Sequence, residues 1–243
     1  MAERVEDSRL ARFDRVERAA HWASALLFVV LMLTALPLYF GSLEAIVGRR
    51  ALLVQVHTWA GVALPVPLVL SAAGPWGKGL RADLRRINRW SRDELGWLRS
   101  LGRRSVGTLG KFNPGQKLNA AFVGGSIVVM LATGSVMRWF QPFPLGWRTG
   151  ATFVHDALAA AIFAAVAGHV VLALTHPESL RSMLTGKVSI AWARRHAPGW
   201  LAEERSGPAQ DAAAAGPVAQ AAAGTTAATP GPGRGPEAPT GRR

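Results

Sequence analysis

The sequence predicts an all-α integral membrane protein: a four-helix transmembrane bundle with an amphipathic surface helix and a disordered C-terminal tail. Three observations predict it. Of the 243 residues 49% are hydrophobic, yet the formal net charge is +13. A basic nucleic-acid-binding domain would not join such charge to such hydropathy, so no nucleic-acid partner is expected. Four stretches meet the length of about 20 mostly apolar residues needed to cross about 30 Å of hydrocarbon. The 28 Lys and Arg residues gather almost wholly outside these stretches.

The elements follow in chain order. Residues 1–18 carry Arg4, Arg9, Arg12, Arg15 and Arg18. The first span, 19–40, has a longer apolar run than a signal peptide and no small-x-small cleavage site before Tyr39, so it is expected to be retained. The second, 51–73, contains Pro65 and Pro67 and is expected to kink there. Between spans two and three, residues 74–117 set Leu84, Ile87, Leu95, Leu98 and Leu101 among many arginines, the pattern of a helix lying on anionic lipid. The third span, 118–139, ends at Arg138, whose long side chain can reach the headgroups. The fourth covers 151–176. Residues 19–176 thus form one domain, followed by a basic segment, 177–205. The Ala-, Gly- and Pro-rich segment 206–243 has too few large apolar residues to fold and is expected to be disordered.

Charge sets the orientation. Only Arg49, Arg50, Arg138 and Arg148 lie outside the N-terminal segment, the 74–117 loop and the C-terminal segment. The positive-inside rule therefore puts both termini and that loop in the cytoplasm, in a multi-pass protein of the cell (inner) membrane. Trp22, Trp76 and Trp139 fall at span ends, where an indole is half apolar and half hydrogen-bonded.

The chemistry rests on histidine. No Cys is present, which excludes disulfides, thiolate clusters, Cys-type zinc sites and covalently attached haem in this chain. His21, His57, His155 and His169 all fall within spans, where an ionisable side chain is costly and a functional candidate. By depth, His21 near the start of span one matches His169 near the end of span four. His57, early in span two, matches His155, early in span four. The 14 residues from His155 to His169 are about 21 Å of rise and return to within about 40° of the same azimuth. Span four can therefore give one axial ligand to each of two stacked groups. Two imidazoles per level suit a planar macrocycle better than a four-coordinate zinc ion, so two b-type haems are expected, with His21, His57, His155 and His169 on the iron. Structural histidines or a proton relay are the alternative. Gly61, Gly168 and the alanines from Ala157 to Ala161 leave room beside these levels, although small residues are common at any membrane helix interface. His176 ends span four, where an interfacial His needs no cofactor, with a substitute ligand or a proton carrier as its lesser readings. His196 reads as a surface residue.

Several motifs together resemble the cytochrome b (gamma) subunit of membrane-bound respiratory formate dehydrogenase. They are Arg18 to Trp22, Val56-His57, Gly110 to Lys117 (Gly-Lys-Phe-Asn-Pro-Gly-Gln-Lys), His155 and His169, Gly186 to Ser189, and Trp192 to His196. The resemblance covers most of residues 12–200. It implies a four-helix subunit with two haem b groups, His57 with His155 on the periplasmic side and His21 with His169 on the cytoplasmic side. It also implies a quinone site carried by Asn113, Gln116 and the neighbourhood of His169, and amide groups can donate to a quinone carbonyl. The implied partners are a molybdenum- or tungsten-containing catalytic subunit and an iron–sulfur subunit outside the membrane. Without Cys, and without a nicotinamide or flavin fingerprint, the chain is expected to transfer electrons and not to oxidise formate. The rivals are the cytochrome b subunit of a nickel–iron hydrogenase or another molybdoenzyme, and a haem-free anchor or proton-relay protein.

Overall fold

A computed structural model of the chain describes residues 9–103 and 108–214. Its contacts divide it into a unit ending at Leu201 and a second beginning at Ala202. Four helical segments are long and apolar enough to cross a membrane, with mean hydropathies of 2.0, 1.5, 1.9 and 2.3 in chain order.

Helix α1 (Arg15–Tyr39) starts earlier than its apolar run because Asp14 and Glu17 form a reciprocal cap. The Glu17 amide donates to Asp14 Oδ1 at 2.8 Å, and the Asp14 amide to Glu17 Oε2 at 2.6 Å. A short helix α2 (Gly41–Val47) follows and ends at Gly48, in the left-handed region at φ 65°. The second span is α3 (Arg50–Ala63) and α4 (Val66–Ala73), broken where the prolines predict. Pro65 cannot donate to the Gly61 carbonyl, and the Leu64 amide takes that carbonyl instead at 3.3 Å.

The basic loop folds as two helices, α5 (Lys78–Asn88) and α6 (Arg92–Arg99), where one was expected. The break comes because Ser91 caps a new helix, accepting from the Glu94 amide at 3.2 Å while Glu94 Oε2 accepts from the Ser91 amide at 2.9 Å. Leu101, expected on that surface helix, lies beyond it at φ 52° and is exposed. The third span is α7 (Pro114–Arg138), begun by an Asn113 cap, and the fourth is α8 (Leu145–Thr175), begun after Pro144.

Beyond α8 come α9 (Pro177–Thr185), α10 (Ile190–His196) and α11 (Pro198–Ala214). The fold is not purely α. Strand β1 (Arg9–Ala11) pairs antiparallel with β2 (Lys187–Ser189), with Arg9 opposite Ser189 and Ala11 opposite Lys187. Gly186, at φ 83°, closes α9 and turns its carbonyl to the amides of Arg12 and Phe13, at 2.8 and 3.1 Å. A Cβ on Gly186 would lie 2.6 Å from the Phe13 carbonyl oxygen, so only glycine fits there. Helix α11 continues past Ser206, so the first residues of the segment expected to be disordered are helical. The rest of that expectation, beyond Ala214, lies outside the described residues.

A buried apolar cluster of Val188, Ala193, Ala197, Trp200 and Leu201, with Leu10, Ile190 and Trp192 against it, holds the ribbon to the C-terminal helices. Arg12 is buried beside it, with its guanidinium 4.4 Å from the Trp192 ring. Burial lowers its pKa to about 10, against the opposing pull of Asp83, so it stays cationic at neutral pH. This assembly lies at the end of the spans that carries the start of α1 and the end of α8.

Candidate functional site

The four spans leave room between them. Helix α1 packs on α3 and α4, α3 on α7, and α7 on α8, but α8 makes no comparable backbone approach to α1 or α3. All four intramembrane histidines lie across that gap. His21 of α1 and His169 of α8 have ring centroids 6.2 Å apart, with their planes at 58°. His57 of α3 and His155 of α8 are 6.4 Å apart at 63°. The structure thus brings together the two pairs that depth and periodicity predict.

Those separations fall within the range of edge-on ring contacts, and they also suit two ligands on one metal. Two imidazole–metal bonds of about 2.0 Å, with about 1.2 Å from each nitrogen to its ring centre, put coaxial centroids about 6.4 Å apart. Among the described residues no cluster of three or more His, Asp or Glu could hold a metal ion on its own. Two ligands per level therefore fit an iron whose other four positions come from a porphyrin. His21, His57 and His155 are half-buried and His169 is exposed. Gly134 of α7 lets the His155 ring lie against the helix, since a Cβ there would be 3.4 Å from His155 Cε1. Gly168 faces open space, and a Cβ on Gly61 would meet only Leu31, at 3.8 Å.

Asn113 and Gln116 lie at the start of α7. They cap each other: the Gln116 amide donates to Asn113 Oδ1 at 2.9 Å, and the Asn113 amide to Gln116 Oε1 at 3.0 Å. Both side-chain oxygens are thereby committed to the backbone, which leaves the NH2 groups as the donors for any ligand. Sequence reasoning missed how this loop is fastened. Lys111 is buried in ion pairs with Asp83 and, at 3.7 Å, with Glu17. Lys117 is buried too, with Nζ 2.6 Å from both Glu94 Oε1 and the Arg89 carbonyl. Acidic residues inside a strongly basic loop were the available signal.

The other two histidines stay apart from the pairs. His176 directs Nδ1 at the Leu172 carbonyl, 2.9 Å away, at the end of α8. His196 is exposed and lies on Trp192, with ring centroids 5.2 Å apart. Trp22 at the start of span one donates from Nε1 to the Met183 carbonyl at 3.1 Å, tying α1 to α9.

Residues 12–186 match the model of the prokaryotic cytochrome b561 family. The chain belongs to that family. Membership makes it an integral membrane b-type cytochrome and implies haem b, which the histidine spacing and the absence of Cys both suit. Relatives of this cytochrome b561 chain include the formate dehydrogenase cytochrome b556 subunit of Haemophilus influenzae, 26% identical over 82% of this chain and 84% of its own length. The cytochrome b556(fdo) subunit of formate dehydrogenase from Escherichia coli K12 is 28% identical over 81% of this chain and 93% of its own. The nitrate-inducible cytochrome b556(Fdn) subunit from the same strain is 24% identical over 80% and 91%.

Proposed function

We propose that this cytochrome b561 chain is the di-haem membrane subunit of a formate dehydrogenase complex, passing electrons from a periplasmic iron–sulfur subunit to a membrane quinone. The observation that carries the proposal is the pair of histidine couples, 6.2 and 6.4 Å apart, at two levels of one helix. His57 and His155 hold one haem b, and His21 and His169 the other. Each haem, when bound, supplies a one-electron ferric–ferrous couple. The apolar spans keep water from the imidazoles, and α8 fixes the separation of the two levels. A molybdenum- or tungsten-containing catalytic subunit oxidises formate elsewhere in the complex, and membrane lipid covers the outer faces of the spans.

The test is a spectrum. The chain purified with its partners should carry two haem b per polypeptide, reducible by formate. One haem or none would overturn the di-haem assignment, and reduction by hydrogen but not formate would assign the chain to a hydrogenase instead.

Two further outcomes are expected. Both termini, the 74–117 loop and the His21–His169 pair face the cytoplasm in this proposal, because the basic residues concentrate there. A reporter active only in the cytoplasm should therefore work when fused at Gly207, and one active only outside should not. The quinone takes hydrogen bonds from the Asn113 and Gln116 side-chain NH2 groups. Asn113→Ala should then leave both haems reducible and slow their reoxidation by quinone, up to about tenfold in affinity for one neutral hydrogen bond. Unchanged reoxidation across quinone concentrations would remove Asn113 from the site.

A further inference from the structure

We propose that Thr34 and Thr133 are positioning residues for the haem held by His57 and His155, each accepting a hydrogen bond from the Nδ1–H of one ligand and lowering that haem's potential. The proposal rests on the di-haem reading above.

The geometry is the same twice. Thr34 Oγ1 of α1 lies 2.9 Å from His57 Nδ1, and Thr133 Oγ1 of α7 lies 2.9 Å from His155 Nδ1. Each hydroxyl also reaches back along its own helix, Thr34 to the Val30 carbonyl at 2.8 Å and Thr133 to the Val129 carbonyl at 2.8 Å. A hydroxyl has one proton. Directed at the carbonyl, it leaves only lone pairs for the imidazole, so the ring must bring its own proton at Nδ1. That fixes the tautomer in which Nε2 carries the lone pair, and Nε2 is the atom left free to coordinate.

Threonines in membrane helices commonly bond the carbonyl four residues back, and Thr149 and Thr152 of α8 do so here without touching any ring. Thr175 reaches only the ring of its own neighbour His176, whereas Thr34 and Thr133 add a contact to an imidazole on another helix. They come from two different helices, and α7, the one span without a histidine among the four, supplies one of them. Among the described residues the rings of His21 and His169 have no such hydroxyl. The two haem levels therefore differ in a way that bears on electron transfer. An acceptor on Nδ1–H makes the ring more basic and favours ferric iron, so the His57–His155 haem is held lower in potential than the same ligands would give without the threonines.

The test is a redox titration of the intact complex, with both haems followed separately in the visible spectrum. Thr34→Val and Thr133→Val keep the shape and remove the acceptor, while Thr34→Ser and Thr133→Ser retain it. Each Val variant should shift one haem's ferric–ferrous equilibrium about threefold toward ferrous. The double Val variant should shift it about tenfold, about 59 mV upward for one electron. The other haem should not move, and the Ser variants should titrate like the wild type. Loss of that one haem in the Val variants but not in the Ser variants would equally support the positioning role. Two haems with unchanged potentials in the double Val variant would overturn it, as would equal shifts in the Ser variants or in both haems. A wild-type chain lacking haem would overturn the functional reading and this proposal with it, whereas unchanged potentials in a two-haem chain overturn this proposal alone.

Discussion

His57→Ala or His155→Ala is expected to halve the haem content, leaving one haem b per chain, held by His21 and His169. An iron in a porphyrin keeps its low-spin bis-histidine spectrum only with both axial positions filled. Removing either imidazole leaves a group held on one side, where α8 approaches α3 less closely than it approaches α7. The remaining site is insulated because the His155 and His169 levels are about 21 Å apart along α8, well beyond the range at which substitutions couple. Formate should no longer reduce quinone through such a chain, while a soluble reductant should still reduce the haem that remains. The measurement is haem per polypeptide, with membrane insertion checked in parallel. Loss of both haems from a correctly inserted chain would break the two-site assignment.

The largest effect on stability is expected from Lys117→Met. Lys117 and Glu94 are both buried, at 6% and 7% exposure, and they share a 2.6 Å contact. Taking away the lysine leaves the carboxylate out of water with no cation, a change that costs about 3–5 kcal/mol. The Arg89 carbonyl loses its donor at the same time. Glu94 keeps its bond from the Ser91 amide, which satisfies one oxygen but does not neutralise the charge. The thermal midpoint in detergent should fall sharply for Lys117→Met. Adding Glu94→Gln should recover much of the loss, because the double variant buries no unpaired charge. A single variant as stable as the wild type would mean that α6 can swing Glu94 into solvent at little cost.

What was legible in the sequence is what is local to one helix. The apolar length of each span, the break at Pro65 and the shared face of His155 and His169 all follow from composition and period within a single segment. The capping pairs Asp14–Glu17 and Asn113–Gln116 were also there to read, as a short polar residue followed three positions later by Glu or Gln. The remainder depends on residues far apart in the chain. Two three-residue strands near opposite ends of the unit give no periodic signal, and Val188 looks like any other valine until Leu10 is brought beside it. Lys111 with Asp83, and Lys117 with Glu94, are individual partnerships within a crowd of like charges. Thr34 and Thr133 are indistinguishable by sequence from threonines that bond only their own helix.

The ribbon of Arg9–Ala11 on Lys187–Ser189 has a consequence for how the chain is made. Its first strand leaves the ribosome early and its second only after every span has been synthesised. The two can meet only on the same side of the bilayer, which requires an even number of crossings between them. A chain that failed to insert one span would strand β1 and β2 on opposite faces. Leu10 would then go uncovered, and the amides of Arg12 and Phe13 would miss the Gly186 carbonyl. Closure of the ribbon is thus a parity check on insertion, made by six residues that touch neither histidine pair. A chain that fails it presents an unpaired strand edge, the kind of surface that quality-control proteases and chaperones engage.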